Sequence, residues 1–484
     1  MKKVFLTVFA LVLGVSLAMA QSNKSDVDVK GNTNTQTVDQ TGNMNDSDVD
    51  VIGDLNSVDV DQVGTENSAT VVQGDATTPG PAALPHNNNA AVIDQDGMNN
   101  TAVTEQSGDY NSADQFQDGD RNQAYIQGQR TFGSTASATT QTNEQVQLGN
   151  DNLARANAQG GIDGNSGYQL QDGNDNSSIL SQNGDANDAD LMQMGSNNGV
   201  FTRQTGDMND ADITQDGNAN QASTQSSGNN NIAEVVQEGN NNEVGLAPFD
   251  NTPGGSANFG IFQDGDDHIA KVKQDGDGNR TSVEQLVGDQ RFIQRGFGNA
   301  NIITSTQDGG TGNNAVLEMG GDANVVDVDQ LGNDNQLFFD FQGTNSNRVS
   351  SNNVDLDQNG DRNTISGDFA SGSTSNAVTV NQQGDDNDVT SGGMFDQDGV
   401  FIDGNQNALT VDQMGDSNTS TSSMVGDLNV GDINQESNGN ISTLGQMGNG
   451  NAATLNQGVT SGLGGHSSSI MQTGDGNATT VNQN

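Results

Sequence analysis

The stretch from residue 187 to residue 219 reads NDADLMQMGSN NGVFTRQTGDM NDADITQDGNA, which is three units of eleven residues. Each unit starts with Asn and carries Gln six residues later and Gly eight residues later. The first and third units resemble each other more than either resembles the second, because both begin with Asn-Asp-Ala-Asp. The full repeat is therefore two units long and consists of two similar halves.

The first of these units has the pattern of a strand followed by a turn. Successive side chains of a strand point to opposite faces. One face would carry Asn187, Ala189, Leu191 and Gln193. Asp188 and Asp190 would lie on the other face. The residues around Gly195 favour a turn, because glycine accepts a positive φ without strain.

Residues 22 apart match one another, which predicts how the units stack. The inner positions pair as Asn187 with Asn209, Ala189 with Ala211, Leu191 with Ile213, Gln193 with Gln215 and Gly195 with Gly217. The outer positions pair as Asp188 with Asp210 and Asp190 with Asp212. The predicted fold is an all-β solenoid of 22-residue strand–turn–strand–turn rungs, stacked in parallel about 4.8 Å apart and becoming cross-β on polymerisation. Stacked Asn and Gln amides can hydrogen-bond from rung to rung, so the core needs few apolar residues.

The motif Gln-x-Gly-x-x-Asn extends this pattern along most of the chain. It begins twenty times between Gln40 and Gln472, and Gln274 and Gln294 start two of these copies. A motif that recurs at a fixed period is typical of repeat architectures.

The composition excludes several classes of protein. The chain has 484 residues, 15 Lys+Arg and 64 Asp+Glu, a formal net charge of −49, 30% hydrophobic residues and no Cys. The absence of Cys excludes disulfide scaffolds and Cys-ligated metal sites. The negative charge argues against nucleic acid as a partner, since phosphate binding needs Lys and Arg. Low hydrophobicity with high net charge is typical of disorder, but the fixed period argues against it.

The first twenty residues have the features of a secretory signal peptide. Lys2 and Lys3 precede an apolar core from Val4 to Leu17, and Ala18-Met19-Ala20 forms a small-residue cleavage site. We expect residues 1–20 to be removed and the protein to be exported. No other stretch is apolar enough to predict a transmembrane span in the mature chain.

The remaining chain divides into two parts. Residues 21–37 form a polar N-terminal segment with weak periodicity, and residues 38–484 form the predicted solenoid. We interpret the breaks in the period as loop insertions in one solenoid, near residues 74–90, 128–146, 243–260, 344–357, 366–380 and 459–471.

The repeat resembles a known family. The pattern Asn-x-Ala-x-x-x-Gln-x-Gly-x-x-Asn, which starts at Asn187 and again at Asn111 and Asn209, is similar to the curlin repeat of bacterial curli fibres. The resemblance implies a secreted functional amyloid subunit, forming a pilus-type surface fibre for cell adhesion and biofilm matrix. It implies a Gram-negative-type bacterium, with the protein outside the cell. The partners it implies are further copies of the chain, a nucleator subunit, an outer-membrane export channel and a periplasmic chaperone. Whether the chain is a major subunit or a nucleator stays open.

The outer-face Asp residues have two interpretations. In the first, their mutual repulsion keeps the exported chain soluble and delays assembly. In the second, the ladder binds Ca²⁺ or another divalent cation, because runs such as residues 264–267 supply many oxygen ligands. These runs match neither an EF-hand loop nor a calcium β-roll repeat, so no metal site is assigned.

Nothing in the sequence predicts catalysis. His86, His268 and His466 are isolated along the chain, which favours solvated side chains. No Gly-x-Ser-x-Gly motif with a suitable His and acid stands out. We therefore expect no enzyme activity, no catalytic residue and no cofactor. The alternative to a fibre subunit is a monomeric secreted β-solenoid that acts as an adhesin or an ion-binding rod.

Overall fold

The computed structural model describes residues 22–74, 87–131, 141–160, 164–245, 260–341, 349–390, 399–458 and 464–483. Within these ranges every regular element is a β-strand, as the sequence predicts. The signal peptide, His86 and most of the expected insertion near residues 74–90 lie outside the described residues. The chain divides into two compact units, residues 1–186 and 187–484.

The first unit contains thirteen strands among its described residues. They are β1 (Lys24–Lys30), β2 (Thr35–Asn43), β3 (Asp46–Ile52), β4 (Ser57–Thr65), β5 (Ser68–Gln73), β6 (Ala90–Met98), β7 (Thr101–Ser107), β8 (Ser112–Asp120), β9 (Gln123–Thr131), β10 (Thr142–Asn150), β11 (Leu153–Gly160), β12 (Ser166–Asn174) and β13 (Ser177–Asn183).

The second unit contains β14 to β40 among its described residues. The first part comprises β14 (Asp188–Ser196), β15 (Gly199–Thr205), β16 (Asp210–Asn218), β17 (Gln221–Ser227), β18 (Ile232–Glu238), β19 (Glu243–Val244), β20 (Ile261–Asp264), β21 (Ile269–Asp275), β22 (Arg280–Leu286), β23 (Arg291–Phe297), β24 (Ile302–Asp308), β25 (Asn314–Asp322), β26 (Val325–Leu331) and β27 (Gln336–Phe341). The second part comprises β28 (Val349–Ser350), β29 (Asn353–Asn359), β30 (Thr364–Phe369), β31 (Ala377–Gln383), β32 (Asp388–Val389), β33 (Val400–Asp403), β34 (Ala408–Met414), β35 (Thr419–Val425), β36 (Val430–Glu436), β37 (Ile441–Met447), β38 (Ala452–Gln457), β39 (Ser467–Thr473) and β40 (Ala478–Gln483).

Both units are β-solenoids built from two parallel sheets. In the first unit each strand pairs in parallel with the strand two positions further on, so odd-numbered strands form one sheet. The even-numbered strands form the other sheet. The second unit has the same design, and β14 pairs with β16 while β15 pairs with β17. The predicted solenoid of rungs about 22 residues apart is confirmed.

Three rungs of the second unit are interrupted within a strand. β19 and β20 both pair with β17 and β22, as two pieces of one strand. β32 and β33 pair in the same way with β30 and β35. β27 and β28 both pair with β25. Most of the chain between each two pieces lies outside the described residues, and the register resumes after it because the neighbouring rungs define it.

The expected insertion near residues 366–380 is short. Its ends belong to β30 and β31, and Asn353 pairs with Ala377, so this rung is only slightly longer than the regular repeat. The extra residues lie in the turn between the two strands, and the parallel ladder continues across them.

The register near Gln294 differs from the sequence motif. Gln294 pairs with Val272, and Gly296 takes the place opposite Gln274. Gly298, not Gly296, is the turn glycine, with a φ of +119°. The reason is the preceding rung: a Cβ on Gly276 would lie 2.2 Å from the Gly298 carbonyl oxygen, so the two turns stack backbone on backbone. The motif alone does not determine whether Gly296 or Gly298 forms the turn, whereas stacking on the preceding rung does.

The interior of each rung is narrow and mixed. Alternate strand residues are buried, and they include Val, Ile, Leu and Ala together with Asn, Gln, Ser and Thr. Phe339, Phe341 and Phe369 form a local aromatic cluster, with ring centroids 4.9 to 5.7 Å apart. Phe338 points outward and is 46% exposed. Apart from this cluster, the described core consists mainly of small aliphatic and amide side chains.

Candidate functional site

The turn glycines stack in a ladder that leaves no room for a side chain. Gly195 and Gly217 have φ values of +104° and +125°. A Cβ on Gly195 would lie 2.0 Å from the Gly217 carbonyl oxygen. The same carbonyl accepts a hydrogen bond from Asn198 Nδ2 at 2.9 Å. Only glycine permits this approach of two backbones.

The Asn at the start of each strand holds the turns together. Asn187 and Asn209 are both 1% exposed. Asn209 donates from its backbone N–H and from Nδ2 to Asn187 Oδ1, at 3.0 and 2.9 Å. Asn209 Nδ2 also donates to the Gly228 carbonyl oxygen at 2.9 Å. Each Asn therefore connects two rungs and fixes the turn of a third.

The Gln at the end of each strand forms a second ladder inside the rung. Gln193 Nε2 donates to Gln215 Oε1 at 3.0 Å, and Gln215 Nε2 donates to Gln237 Oε1 at 2.8 Å. Gln215 Nε2 also donates to the Gly199 carbonyl oxygen of the opposite sheet at 3.1 Å. The Gln side chains thus connect neighbouring rungs and the two sheets.

A long Gln ladder lies in the other sheet of the second unit, among its described residues. Its nine hydrogen bonds, each 2.7 to 3.0 Å long, join Gln263, Gln285, Gln307, Gln330, Gln358, Gln382, Gln413, Gln435, Gln457 and Gln483. Every step runs in the same direction, from Nε2 of one rung to Oε1 of the next. The ladder is therefore polar and identical from rung to rung.

The apolar residues singled out from the sequence fill the space between the ladders. Ala189, Leu191, Ala211 and Ile213 are each at most 1% exposed. They pair in register, Ala189 with Ala211 and Leu191 with Ile213.

The outer-face carboxylates stack as aligned rows. Asp188 pairs with Asp210 and Asp190 with Asp212, and all four side chains are exposed. Partial burial raises the pKa of Asp190, Asp210 and Asp212, and neighbouring carboxylates raise it further. Lys271 offsets part of this effect on the pKa of Asp210 and Asp212.

A second set of stacked carboxylates lies on the strands, and the sequence analysis did not identify it. Asp327 pairs with Asp355, and Asp329 pairs with Asp357, on adjacent strands β26 and β29. Partial burial and the three neighbouring carboxylates raise the pKa of Asp357 to about 6. The signal is present as Val-Asp-Val-Asp at 326–329 and Val-Asp-Leu-Asp at 354–357, but these two copies lie further apart than the regular repeat.

Many other Asp residues have a structural role in the turns. The side chain after the turn glycine accepts the backbone N–H of the matching residue in the preceding rung. Asp361 Oδ1 accepts the Asn333 N–H at 2.9 Å, and the Asp361 N–H donates to Asp385 Oδ1 at 2.9 Å. The hydrogen bonds from Asn333 lower the pKa of Asp361. The carboxylates that act in this way include Asp54, Asp109, Asp120, Asp266, Asp277, Asp322, Asp361, Asp385, Asp416, Asp427 and Asp475.

His268 is not solvated, contrary to the sequence expectation. It is fully buried and occupies the Asn position of its rung, where its backbone N–H donates to Asn231 Oδ1 at 3.0 Å. Burial lowers the pKa of its imidazole. The sequence signal is the run Gln263-Asp-Gly-Asp-Asp-His268, in which His replaces the final Asn of the motif.

The described residues contain no group of three or more His, Asp or Glu side chains placed to hold a metal ion. Within the same ranges, no helix is long and apolar enough to cross a membrane.

The comparison with known families agrees with the geometry. Residues 184–217 match the family model described as the curlin associated repeat. Residues 184–217 carry the curlin repeat. The match contains the Asn187, Gln193, Asn209 and Gln215 positions that form the amide ladders. Families built from the curlin repeat are structural and not enzymatic. No curated protein matches the chain.

Proposed function

We propose that this chain is a secreted structural subunit of curli-like amyloid fibres that serve cell adhesion and the biofilm matrix. The observation that carries the proposal is the amide ladder, in which each rung offers the next the same donors and acceptors. The Gln ladder of the second unit repeats one Nε2-to-Oε1 step nine times in one direction. A second copy that presents the same rung continues this pattern without new chemistry.

The strand edges supply the site for such addition. Among the described strands, β40 pairs only with β38, and β1 pairs only with β3. Such an edge presents backbone N–H and C=O groups that can template another strand. Addition of copies at the edges gives a cross-β fibre whose strands lie across the fibre axis.

The outer carboxylates would regulate the addition. Aligned carboxylates on adjacent strands repel each other by about 1 kcal/mol per pair at a separation of about 4.8 Å, even at the dielectric constant of water. This repulsion disfavours premature stacking during export and is weakened by protonation or by divalent cations. The carboxylates therefore slow assembly.

The proposal includes the cellular partners that the curlin resemblance implies. Export would use the signal peptide, a periplasmic chaperone and an outer-membrane channel, and a nucleator subunit would start the fibre at the cell surface. Removal of residues 1–20 is expected to retain the chain in the cytoplasm, measured by fractionation of the bacterium.

The direct test uses residues 21–484, released from denaturant. We expect insoluble fibres that bind amyloid dyes and diffract at about 4.7–4.8 Å along the fibre axis. Gln358→Leu removes the Nε2 donor to Gln382 and the Oε1 acceptor for Gln330, and is expected to slow elongation. Thr454→Val changes a strand residue outside this ladder and is the control. A stable soluble monomer would contradict the proposal and favour the monomeric adhesin or ion-binding rod.

A further inference from the structure

One outer face of the second unit changes the sign of its charge along the stack. The acidic block consists of the outward carboxylates of β14, β16 and β18. They are Asp188, Asp190, Asp210, Asp212, Asp216, Glu234 and Glu238. These three strands contain no Lys or Arg, so the block carries a charge of −7.

The next three strands of the same sheet carry most of the cations of this face. The cationic block consists of the outward charged residues of β21, β23 and β25, without the turn carboxylate Asp322. They are Lys271, Lys273, Arg291 and Arg295, with Asp275 and Glu318 as the carboxylates. The block carries a net charge of +2 in a chain whose net charge is −49. β18 pairs with β21, so the two blocks are contiguous.

Ion pairs on this face leave much of this charge available, because those that the structure describes lie at the surface. Within the cationic block, Arg295 Nη1 lies 3.2 Å from Glu318 Oε1, and both side chains are at least 50% exposed. Two further pairs join the two blocks. Glu234 binds Lys271, and Glu238 Oε1 lies 3.1 Å from Lys273 Nζ. These pairs are between 38% and 47% exposed, and such pairs contribute at most about 1 kcal/mol each. Arg291 donates to Asn314 Oδ1 at 3.0 Å rather than to a carboxylate.

None of the four Asp residues of β14 and β16 forms an ion pair with a described Lys or Arg, and Lys271 offsets the raised pKa of Asp210 and Asp212 only in part. The four residues lie in two rows of stacked carboxylates, and in three of them burial and charge repulsion raise the pKa. A cationic partner placed over these rows would relieve the repulsion. Rows of carboxylates and rows of cations on the two blocks share one spacing, because both follow the strand separation of about 4.8 Å.

We propose that this face, from β14 to β25, is a self-complementary surface through which two copies of the chain associate side by side. A two-fold axis parallel to the strands, between β18 and β21, places the acidic block of each copy opposite the cationic block of the other. Such an isologous contact uses the same patch on both copies. Six strands of about seven residues cover about 650 Å² per copy, or about 1,300 Å² in total, which is within the range of specific interfaces.

Lateral pairing differs from end-to-end addition and does not require it. The contact lies on the outward side chains of one sheet, whereas addition uses the backbone edges. It would join two solenoids across the fibre axis, and it weakens with salt because the Debye length falls from about 10 Å at 0.1 M to about 3 Å at 1 M.

The test uses two charge-reversed forms of residues 21–484. In the first, Lys271, Lys273, Arg291 and Arg295 are each changed to Glu, which turns the cationic block from +2 to −6. In the second, Asp188, Asp190, Asp210 and Asp212 are each changed to Lys, which turns the acidic block from −7 to +1. Neither form is complementary to itself, but each is complementary to the other.

We expect the unaltered chain to form dimers in sedimentation at low salt and to dissociate at 1 M NaCl. Each reversed form alone should have a dissociation constant at least tenfold higher, and an equimolar mixture should recover the dimer. The matched control changes Asp327, Asp329, Asp355 and Asp357 to Lys, an equal ladder on the other sheet, and should leave pairing intact. Circular dichroism checks that each form keeps its strands.

Three results would overturn the proposal: a monomeric unaltered chain at low salt, reversed forms that still dimerise alone, or a mixture that does not recover. Soluble chain is measured before polymerisation, and fibre width under the microscope gives the same comparison afterwards. Failure to form fibres would count against the proposed function. The dimerisation of the soluble chain could still be measured in that case. Fibres that form normally but remain single would count against lateral pairing alone.

Discussion

The carboxylates on the strands and those in the turns are the same chemical group in opposite surroundings. On the strands, Asp357 lies beside three other carboxylates, and burial and repulsion raise its pKa to about 6. In the turns, Asp361 accepts N–H groups from the preceding rung, and these hydrogen bonds lower its pKa. The two residues are only four positions apart in the sequence.

This difference shows that the charge of −49 has two components with different effects. The turn carboxylates stabilise the stack, because each satisfies a backbone donor that would otherwise lose its partner. The strand carboxylates destabilise it, because they align like charges on adjacent strands. The net charge alone does not distinguish a residue that holds rungs together from one that keeps them apart.

The largest expected effect tests the turns themselves and compares two glycines of one turn. A Cβ on Gly276 would lie 2.2 Å from the Gly298 carbonyl oxygen, whereas a Cβ on Gly278 meets nothing within 4 Å. We expect Gly276→Ala to lower the free energy of unfolding by about 3 kcal/mol or more. Gly278→Ala, with a φ of +68°, should cost only about 1–2 kcal/mol. Equal losses in chemical denaturation would show that the stacking of turns does not limit stability.

The next effect isolates the hydrogen-bonding role of a turn carboxylate. Asp361→Ala leaves the Asn333 N–H without its acceptor and should lower the midpoint of urea unfolding. Asp361→Asn keeps the Oδ1 acceptor and should cost much less. The measurement is the midpoint of urea unfolding for both variants. Should Asn prove as damaging as Ala, the charge rather than the acceptor would be the important property.

A strand carboxylate should respond in the opposite direction. Asp357→Asn removes a charge that its neighbours disfavour, so it should stabilise the solenoid at pH 7 to 8. The gain should be about 1 kcal/mol or less, because solvent screens this half-exposed group. Asp361→Asn is the control, four residues away and without this gain. A loss of stability in Asp357→Asn would contradict the assignment of the strand carboxylates as repulsive.

The pH dependence follows from the two pKa directions. The folded pKa of Asp357, about 6, is above the ordinary value of 3.8, so ionisation of Asp357 disfavours the folded state at neutral pH. This penalty disappears as the pH falls from about 6 towards 4. For Asp361, whose pKa is lowered, the stability present above pH 3.8 is lost only at lower pH.

We therefore expect fibre formation to accelerate between pH 7 and pH 5, measured as a shorter lag in dye binding. Asp357→Asn should reduce part of this acceleration. Divalent cations should shorten the lag at pH 7 by screening the same carboxylates. A lag that stays constant across this pH range and does not change with Ca²⁺ would exclude carboxylate repulsion as the cause of slow assembly.

Sequence patterns predicted the fold where the period is intact. Asn187, Gln193 and Gly195 recur one full repeat later, and a one-residue slip would move every inner side chain to the outer face. The inner ladders follow from that register. The direction of the hydrogen bonds in these ladders does not follow from the register. Each amide carries both a donor and an acceptor, and the neighbouring rung determines which of them it uses.

The patterns were insufficient where local motifs compete or the period changes. Gly296 and Gly298 both fit the turn, and the glycine of the preceding rung decides between them. The second carboxylate group, around Asp357, was missed because an inserted segment makes its spacing longer than the regular repeat. His268 is buried because of its position in the ladder, which outweighs its polarity.

The sequence by itself determined the repeat length, the alternation of inner and outer faces and the positions of the turns where only one glycine fits, because these depend on local geometry with a period of two along a strand. Tertiary structure decided which carboxylates stabilise and which repel. That distinction depends on what lies one rung away, a backbone N–H for Asp361 and other carboxylates for Asp357. The neighbour one rung away is a full repeat distant in sequence, and insertions change that distance, so only the stacked structure identifies it.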